Sequence, residues 1–432
     1  MSRGGSLPVL RHRGFAAFFA AASISNAAAW MQLIAVPALL FDLTGKATWL
    51  GVSSMVTLLP QVLITPYAGV LSDRVSRRAI LLVTQTLSMV VTFALWGMYV
   101  TDRLTPWWIL FLGFLAGVCG GFQNSTWQAF IPLLVPREEM LDAVKLNSVQ
   151  FTLARALGPA VAGLVLVRWG SGVAIFANGV TYLLVIVVLV VVEPRETPMM
   201  APDTKVFQAL REGASFVWGN LPYRVALLIA FFGAVFGQSI QHQSAAISRR
   251  IFGHSSKDSA WLLTALGVGA LVAFLCWTVF GERLSRSRQV FLGLSCYLTS
   301  VVVVATAHSY AVGLIGYFIG GVAHLTTVVG LNTLIQGSVP DEMRGRVLSF
   351  HLVAIIGGIP VGAFLLGRFG DAFGLRWGLA GDAALLSVVV GALILSGWFS
   401  SLDVTTMGGV RREAGGVSEE RGRTGGSTAP AR

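Results

Sequence analysis

A carboxylate followed directly by arginines is the feature of this 432-residue sequence best suited to chemistry. Asp73 precedes Arg74, and Arg77 and Arg78 lie about one helical turn further along the chain. A carboxylate beside arginines can pair with a charge or a helix end that comes within reach in only one conformation. The cluster therefore predicts a conformational latch. The alternative is a solvated loop whose positive charge only fixes the orientation of the chain.

Arg155 is a basic residue well inside the apolar run 144–167. A charge near the middle of a bilayer costs at least about 2.5 kcal/mol unless it faces a polar cavity or a partner. Asn147 lies about two helical turns earlier and only about 80° away around the helix axis. We expect both side chains to line one side of a cavity. The alternative is a structural arginine that binds backbone carbonyls.

Neutral polar side chains and tryptophans recur inside other apolar runs. Residues three or four apart, such as Asn124 and Gln128, share one helix face and can hydrogen-bond a substrate. Gln32 has the same character, and Trp30 can stack on a planar substrate. The alternatives are polar contacts between helices and ordinary core packing. The residues predicted to line a substrate cavity are Asn26, Trp30, Gln61, Asn124, Gln128, Asn147, Arg155, Gln238, Gln241, Asn332 and Gln336.

Three residues are candidates for carrying a proton, because a carrier needs an acid or a histidine within a helix. Asp42 lies near the end of the first apolar run, His324 lies in the tenth, and Asp382 lies in the twelfth. Either aspartate can instead be an interfacial residue, and His324 can be a hydrogen-bonded core histidine. The sequence does not decide among the three.

The elements that must position these residues are apolar segments long enough to cross a bilayer, which needs about 20 residues. Charged residues make up 12% of the chain, against roughly 25% in soluble domains. Apolar residues make up 55%, and the mean hydropathy is +0.73. This composition excludes a soluble fold and predicts an all-α integral membrane protein. The twelve segments are 15–41, 49–71, 79–100, 107–130, 144–167, 173–192, 225–247, 260–281, 290–307, 311–335, 347–366 and 375–399.

Charge fixes the expected topology and excludes one class of partner. Lys and Arg are concentrated in alternate loops, on the side that also carries both ends of the chain, which predicts that both termini are cytoplasmic. The net charge of +11 does not indicate nucleic-acid binding, because the basic residues lie between apolar runs rather than on one soluble face.

Polar segments divide the chain into four parts. We predict a six-helix bundle over 1–192, a cytoplasmic linker over 193–223, a second six-helix bundle over 224–400 and a disordered cytoplasmic tail over 401–432. Within the linker, an apolar stripe at helical spacing predicts an amphipathic helix at the membrane interface. The stripe consists of Val206, Leu210, Ala214 and Val217.

The two halves repeat short motifs, which indicates a duplicated six-helix unit. DRVSR at 73–77 matches ERLSR at 282–286, so Glu282, Arg283 and Arg286 form a second, weaker latch candidate. Gly120 and Gly121 match a second glycine pair at 320–321. Parallel repeats of this kind place a binding site near the membrane midplane, between the halves.

The loop GVLSDRVSRR at 69–78 resembles the signature loop of the major facilitator superfamily. PREE at 136–139, NS at 147–148, ARALGPAVAG at 154–163, PDEMRGRV at 340–347 and DLTG at 42–45 resemble the branch that contains enterobactin exporters and macrolide efflux proteins. The resemblance implies proton-coupled export by alternating access, with chemically diverse substrates. It also implies that Gly69 and the Asp73 cluster hold the cytoplasmic side shut in the outward-open state.

Glycine and proline in two helices predict close helix packing and kinks. Gly158, Pro159 and Gly163 also resemble the antiporter motif of the superfamily, which favours export over import, and Pro360 lies in a similar context in the eleventh segment. The alternative is a packing site with no role in direction.

The chain lacks the motifs of enzymes. It has no Walker loop, no HExxH, no nucleophile elbow and no clustered His or Cys ligands, so we expect no catalytic residue, metal or cofactor. The sequence predicts a monomeric, multi-pass secondary transporter of the bacterial inner membrane that exports an amphipathic drug, natural product or siderophore against protons. The alternatives are a nutrient importer or facilitator and, in another class, a non-transporting membrane sensor or scaffold.

Overall fold

A computed structural model describes residues 8–194, 206–280 and 284–403. Within these ranges the chain forms helices and no strands. The backbones of Asp73 and Arg155 are described but their side chains are not, and Glu282, Arg283 and most of the predicted tail lie outside the described residues.

The N-terminal half consists of five long helices joined by short turns. They are α1 (Arg13–Thr44), α2 (Ala47–Arg74), α3 (Arg77–Val100), α4 (Pro106–Phe130) and α5 (Met140–Val191).

The C-terminal half contains one interrupted helix followed by five long ones, and a short helix precedes it. The elements are α6 (Val206–Gly219), α7 (Leu221–Phe232), a π-helical segment (Gly233–Gly237), α8 (Ser239–His242), α9 (Ser244–Arg250), α10 (Ser259–Phe280), α11 (Arg286–Thr306), α12 (Tyr310–Ser338), α13 (Asp341–Phe373) and α14 (Leu375–Leu395).

These helices confirm the twelve predicted crossings. Eleven described helical stretches are long and apolar enough to span a bilayer. One of them, Leu157–Val191, lies within α5, which contains both the fifth and the sixth predicted crossings. The helix α5 has 52 residues, or about 78 Å at 1.5 Å per residue, which is far longer than a bilayer core. It is broken at Gly170, whose φ of 83° is readily available only to glycine. The α7–α9 segment forms the seventh crossing.

An even number of crossings places both ends of the described chain on one side of the bundle. We call this side the terminal end, and the opposite side, with the α1–α2 turn and Gly170, the far end. At the far end Gly45 terminates α1 with a φ of 61°, and its N–H donates to Phe41 O at 2.7 Å. This left-handed turn lets α2 begin only two residues later.

Equivalent helix pairs in the two halves pack at backbone contact. A Cβ added at Gly117 of α4 would collide with the carbonyl of Thr57 in α2. In the second half, a Cβ added at Gly321 of α12 would collide with the carbonyl of Leu266 in α10. This shared packing agrees with the repeat that the sequence predicts.

The predicted linker contains α6, and α7 begins at Leu221, slightly before the predicted boundary at 224. Of the predicted stripe, Val217 is buried against Tyr223 and Ile335, whereas Ala214 is exposed. Glu212 pairs with Arg346 of α13 at 2.7 Å. The helix α6 therefore docks on the C-terminal half.

The described residues extend slightly beyond the predicted start of the tail at 401. A 3-10 helix covers Trp398–Asp403, in which Leu402 is buried. The Asp403 carboxylate accepts hydrogen bonds from the backbone N–H and the hydroxyl of Ser287 at 2.9 and 2.6 Å.

Candidate substrate cavity and far-end closure

A cavity of about 230 Å³ lies among α1, α2, α4 and the second arm of α5. Gln32 is about 18 Å along α1 from its far end, so the cavity lies near the middle of the membrane span. Among the described residues, His242 of α8 is the one from the C-terminal half that lines it. The lining residues are Ala29, Gln32, Leu33, Val36, Pro37, Leu50, Ser53, Ser54, Thr57, Leu58, Gly113, Ala116, Asn178, Tyr182 and His242.

Two amides organise one wall of the cavity. Asn178 Nδ2 donates to Gln32 Oε1 at 2.6 Å, and the Thr92 hydroxyl donates to the same oxygen at 3.3 Å. Asn178 is only 1% exposed, and its Oδ1 has no hydrogen-bond partner within the described part of the chain. A buried polar atom without a partner is uncommon and marks a position where a ligand group can bind.

Residues of the two halves also meet at the cavity. Ser54 Oγ of α2 lies 3.1 Å from His242 Nδ1. The four-residue helix α8 that carries His242 follows the π-helical segment, so the crossing is irregular where it meets the cavity. π-Helical segments are often found at functional sites. A ligand in the cavity can therefore contact both halves.

Beyond the cavity, the halves meet in a polar closure at the far end. The Asp371 carboxylate of α13 accepts hydrogen bonds from the backbone N–H groups of Ala47 and Thr48, at 2.9 and 2.8 Å, and from the Thr48 hydroxyl at 2.6 Å. These N–H groups belong to the first turn of α2, where the helix dipole favours a negative charge. An acid of one half therefore caps a helix of the other.

Two further side chains reinforce this closure. Arg250 donates to Asp371 Oδ1 at 2.7 Å and to the carbonyl of Gly45 at 2.5 Å. Gln243 Nε2 donates to the carbonyls of Ala47 and Ala363 at 3.0 and 2.6 Å. Gln243 directly follows the cavity residue His242, so cavity and closure are adjacent along the chain.

Close packing completes the far-end contact. A Cβ at Gly51 of α2 would collide with the backbone of Phe364 in α13, and a Cβ at Gly163 of α5 would lie 3.0 Å from Ala260 Cβ in α10. Ser256 Oγ donates to the Asp42 carboxylate at 2.7 Å. Both halves are therefore in direct contact at this end.

The predicted latch residues lie at the terminal end, where the described hydrogen bonds of Arg78 and Arg286 stay within one half. Arg78 donates to the carbonyls of Leu189, at 2.6 Å, and Val190. Arg286 donates to Gln289 at 3.2 Å, and the side chain of Arg74 is exposed. In this conformation none of these three described side chains bridges the halves.

None of the eleven residues predicted for a substrate cavity is among the described residues that line this one. Trp30 instead packs on Gly158, where a Cβ would lie 2.5 Å from the indole, and Gln61 lies beside Gly120. Gln238 is buried, and Asn26, Asn147, Gln241 and Asn332 are half-buried, whereas Asn124, Gln128 and Gln336 are exposed. Their role in binding stays a prediction.

The three proton-carrier candidates have different environments. Asp382 of α14 is 5% exposed and accepts a hydrogen bond from Ser239 Oγ of α8 at 2.8 Å. His324 is 7% exposed, with Nδ1 at 3.0 Å from the Tyr297 hydroxyl. Asp42 is exposed in the far-end contact. Asp382 is therefore the buried acid of the three, and it contacts the short helix that also carries His242.

The predicted packing motif lies at tight helix contacts. Pro159 is buried between Gly158, against Trp30, and Gly163, against Ala260. Pro360 lies within α13 between two glycines, one of which, Gly362, would collide with the carbonyl of Val235 if it carried a Cβ.

The residues that sequence reasoning missed fall into two groups. Asn178 and Tyr182 are polar residues in an apolar run, the same signal that selected Gln32, and His242 directly follows the predicted residue Gln241. Arg250 and Asp371 are 121 residues apart and carry no local pattern that joins them.

Two repeated six-helix halves that meet at one end, next to a cavity near mid-depth, define a membrane transporter of the major facilitator type. The crystal structure of a point variant of the nucleoside transporter NupG matches this fold with a TM-score of 0.74 at 9% identity, over 90% of this chain and 99% of that one.

The chain belongs to the family described as transmembrane secretion effectors, whose model matches residues 4–405. It is 20% identical to the staphyloferrin A transporter of Staphylococcus aureus, over 83% of this chain and 90% of that protein. It is 22% identical to macrolide efflux protein A of Streptococcus pyogenes, over 81% of this chain and 88% of that protein. These similarities confirm the predicted superfamily and its efflux branch.

Proposed function

We propose that the protein is a proton-coupled exporter of amphipathic small molecules that works by alternating access in the bacterial inner membrane. The observation that carries the proposal is the cavity near mid-depth beside a closed far end. Alternating access requires such a site to be shut from one side at a time. The name of one relative with low identity, macrolide efflux protein A, supports the direction of transport.

The proposed orientation has both termini in the cytoplasm, as the distribution of Lys and Arg predicts. The far-end contact is then the outer closure, and the conformation described faces the cell interior. The Asp73 cluster is proposed to bridge the halves at the cytoplasmic side in the opposite state. We propose that the protein acts as a monomer, since the cavity is built within one chain.

Proton coupling is proposed to use Asp382, with Asp42 and His324 as alternative carriers. A buried charge is costly unless it is paired, so a proton can neutralise Asp382 at this position. Its contact through Ser239 to α8 links it to the element that carries His242. Substrate binding and protonation would thus act on the same short helix.

The test is transport by the purified protein in proteoliposomes, using compounds found by a resistance and accumulation panel in a host that lacks its own pumps. We expect the substrate to move uphill, away from the cytoplasmic side, only when a pH gradient is imposed. Without a gradient we expect counterflow, in which labelled substrate exchanges for unlabelled substrate. Accumulation in the direction of proton entry would show an importer. Absence of counterflow for every compound that the protein binds would support a sensor or scaffold instead.

A further inference from the structure

The described residues that line the cavity carry hydrogen-bonding groups but no permanently charged side chain. Among the described residues that line it there is no Asp, Glu, Lys or Arg. Arg250 and Asp371, the charged pair of the far-end closure, bind each other and backbone groups, and neither lines the cavity. The ionisable groups of the described lining are the imidazole of His242 and the phenol of Tyr182, which are both uncharged in their ordinary neutral forms. An ionised ligand in this space would therefore lose its hydration without meeting a permanent counter-charge.

We infer that the cavity binds uncharged molecules that combine an apolar body with a hydrogen-bonding group. This inference rests on the proposed function, because it narrows the amphipathic substrates to neutral ones.

The polar end of such a ligand has partners on one wall. Asn178 Oδ1 is a buried acceptor without a partner, and the NH₂ group of Gln32 makes no hydrogen bond within the described residues, while its Oε1 already accepts two. The NH₂ group of Gln32 is therefore an available donor, whereas Asn178 Oδ1 has almost no accessible surface, and a ligand reaches it only when the two amides shift. A hydroxyl or an amide can satisfy both, because each can donate and accept.

The rest of the lining suits an apolar body of limited size. The aliphatic part of the lining includes Leu33, Val36, Leu50 and Leu58. An apolar cavity of about 150 Å³ holds benzene, so the 230 Å³ observed here accommodates a two-ring skeleton. Ligands larger than this would have to extend out of the cavity.

The test compares three ligands with one skeleton: 1-naphthalenemethanol, 1-naphthylmethylammonium and 1-naphthoate. Equilibrium dialysis of each labelled compound against the full-length protein in nanodiscs, corrected with empty nanodiscs, gives its saturable binding. We expect the alcohol to bind at least about tenfold more tightly than either ion. Equal or tighter binding of an ion, or no saturable binding of the alcohol, would overturn the inference.

A variant that introduces a negative charge tests whether the selectivity arises in this cavity. Gln32→Glu keeps the oxygen that accepts from Asn178 and Thr92, so the wall is preserved, but it adds a carboxylate. We expect the ammonium compound to gain affinity over the alcohol by about tenfold or more. The matched control is Gln123→Glu, at a half-exposed position of α4 that does not line the cavity. An equal gain in affinity for the ammonium compound in both variants would show that the selectivity does not arise in this cavity.

Failure of this inference is distinguishable from failure of the proposed function, because binding is measured without a gradient. Selective binding of the alcohol by a protein that transports nothing would refute export and support the inference. Transport of charged compounds without binding of the alcohol would overturn the inference and leave export standing.

Discussion

Asp371 and Asp382 are two acids of the C-terminal half whose surroundings suit them to different tasks. Asp371 accepts three hydrogen bonds from the first turn of α2 and pairs with Arg250, so its negative charge is stabilised where the halves meet. Asp382 is buried and accepts one described hydrogen bond, from a hydroxyl. The first carboxylate is suited to holding a conformation, and the second to gaining and losing a proton.

Replacing Asp382 with asparagine tests the proposed proton site. Asp382→Asn retains an acceptor for Ser239 but cannot release a proton, so we expect loss of uphill transport in an imposed pH gradient while counterflow continues. Proteoliposome transport with and without the gradient measures both. Asp142→Asn, a half-exposed aspartate paired with Lys145, is the control. Full gradient-driven transport by Asp382→Asn would shift the assignment to His324 or Asp42.

Replacing Asp73 with asparagine tests the predicted latch. A charge-assisted hydrogen bond contributes about 1.5–3 kcal/mol, so its loss should shift the balance between conformations by roughly 10- to 100-fold. We expect Asp73→Asn to lower the transport rate while substrate binding stays measurable in equilibrium dialysis. Loss of binding with unchanged exchange between the two conformations would contradict the latch assignment.

Among the elements, the seventh crossing differs most from a regular membrane helix. It passes from α7 through the π-helical segment into the short helices α8 and α9. Three contacts start from this stretch. Ser239 donates to Asp382, and His242 lies beside Ser54. Gln243 donates to the carbonyl of Ala47. A short segment thus contacts the buried acid, the cavity and the far-end closure.

Weakening the helix cap at the far end should shift the conformational balance. Asp371→Asn removes the charge that faces Arg250 and the first turn of α2, at a cost of about 1–3 kcal/mol to the closed far end. In a protein without its native cysteines, we expect Ser53→Cys in the cavity to react faster with an impermeant thiol reagent from the far side. Asp102→Asn, an exposed aspartate in another far-end turn, should leave that rate unchanged. Equal rates in both variants would show that Asp371 does not hold this end shut.

The sequence predicts the crossings well because each is a local apolar run, and even the break near Gly170 falls between the predicted segments 144–167 and 173–192. The sequence does not predict the interruption of the seventh crossing, because 225–247 is one continuous apolar run. The contact of Gln32 with Asn178 joins residues 146 positions apart. Such pairings depend on how the helices assemble, so composition and spacing identify polar candidates but not which of them meet.

At the scale of the whole molecule, the contacts that join the halves through described hydrogen bonds lie at the far end and beside the cavity. One contact, between Ser54 and His242, lies beside the cavity. The far-end contacts include the pairs Ala47 and Asp371, Gly45 and Arg250, and Asp42 and Ser256. The cavity itself belongs mainly to the N-terminal half, although the repeat predicts a site between the halves. Among the described lining residues, His242 is the one that comes from the other half, and it lies beside Ser54 of the first.

A reversible covalent link across the far end tests whether the halves must separate there during transport. In a variant without Cys119, Cys276 and Cys296, the pair Gly163→Cys and Ala260→Cys places two thiols where the Cβ positions are 3.0 Å apart. A disulfide needs about 3.5–4.5 Å between Cβ atoms, which a small separation of α5 and α10 provides. We expect the oxidised protein to stop transporting and the reduced protein to resume.

Recovery on reduction shows that the double variant is folded, and Gly163→Cys alone controls for the added side chain. Because the link fixes the far end in the closed conformation, the oxidised protein should still bind ligand that enters from the terminal end. Transport by the oxidised protein at the rate of the reduced one would show that the far end stays closed throughout the cycle. Alternating access between these two halves would then be wrong, whatever the substrate.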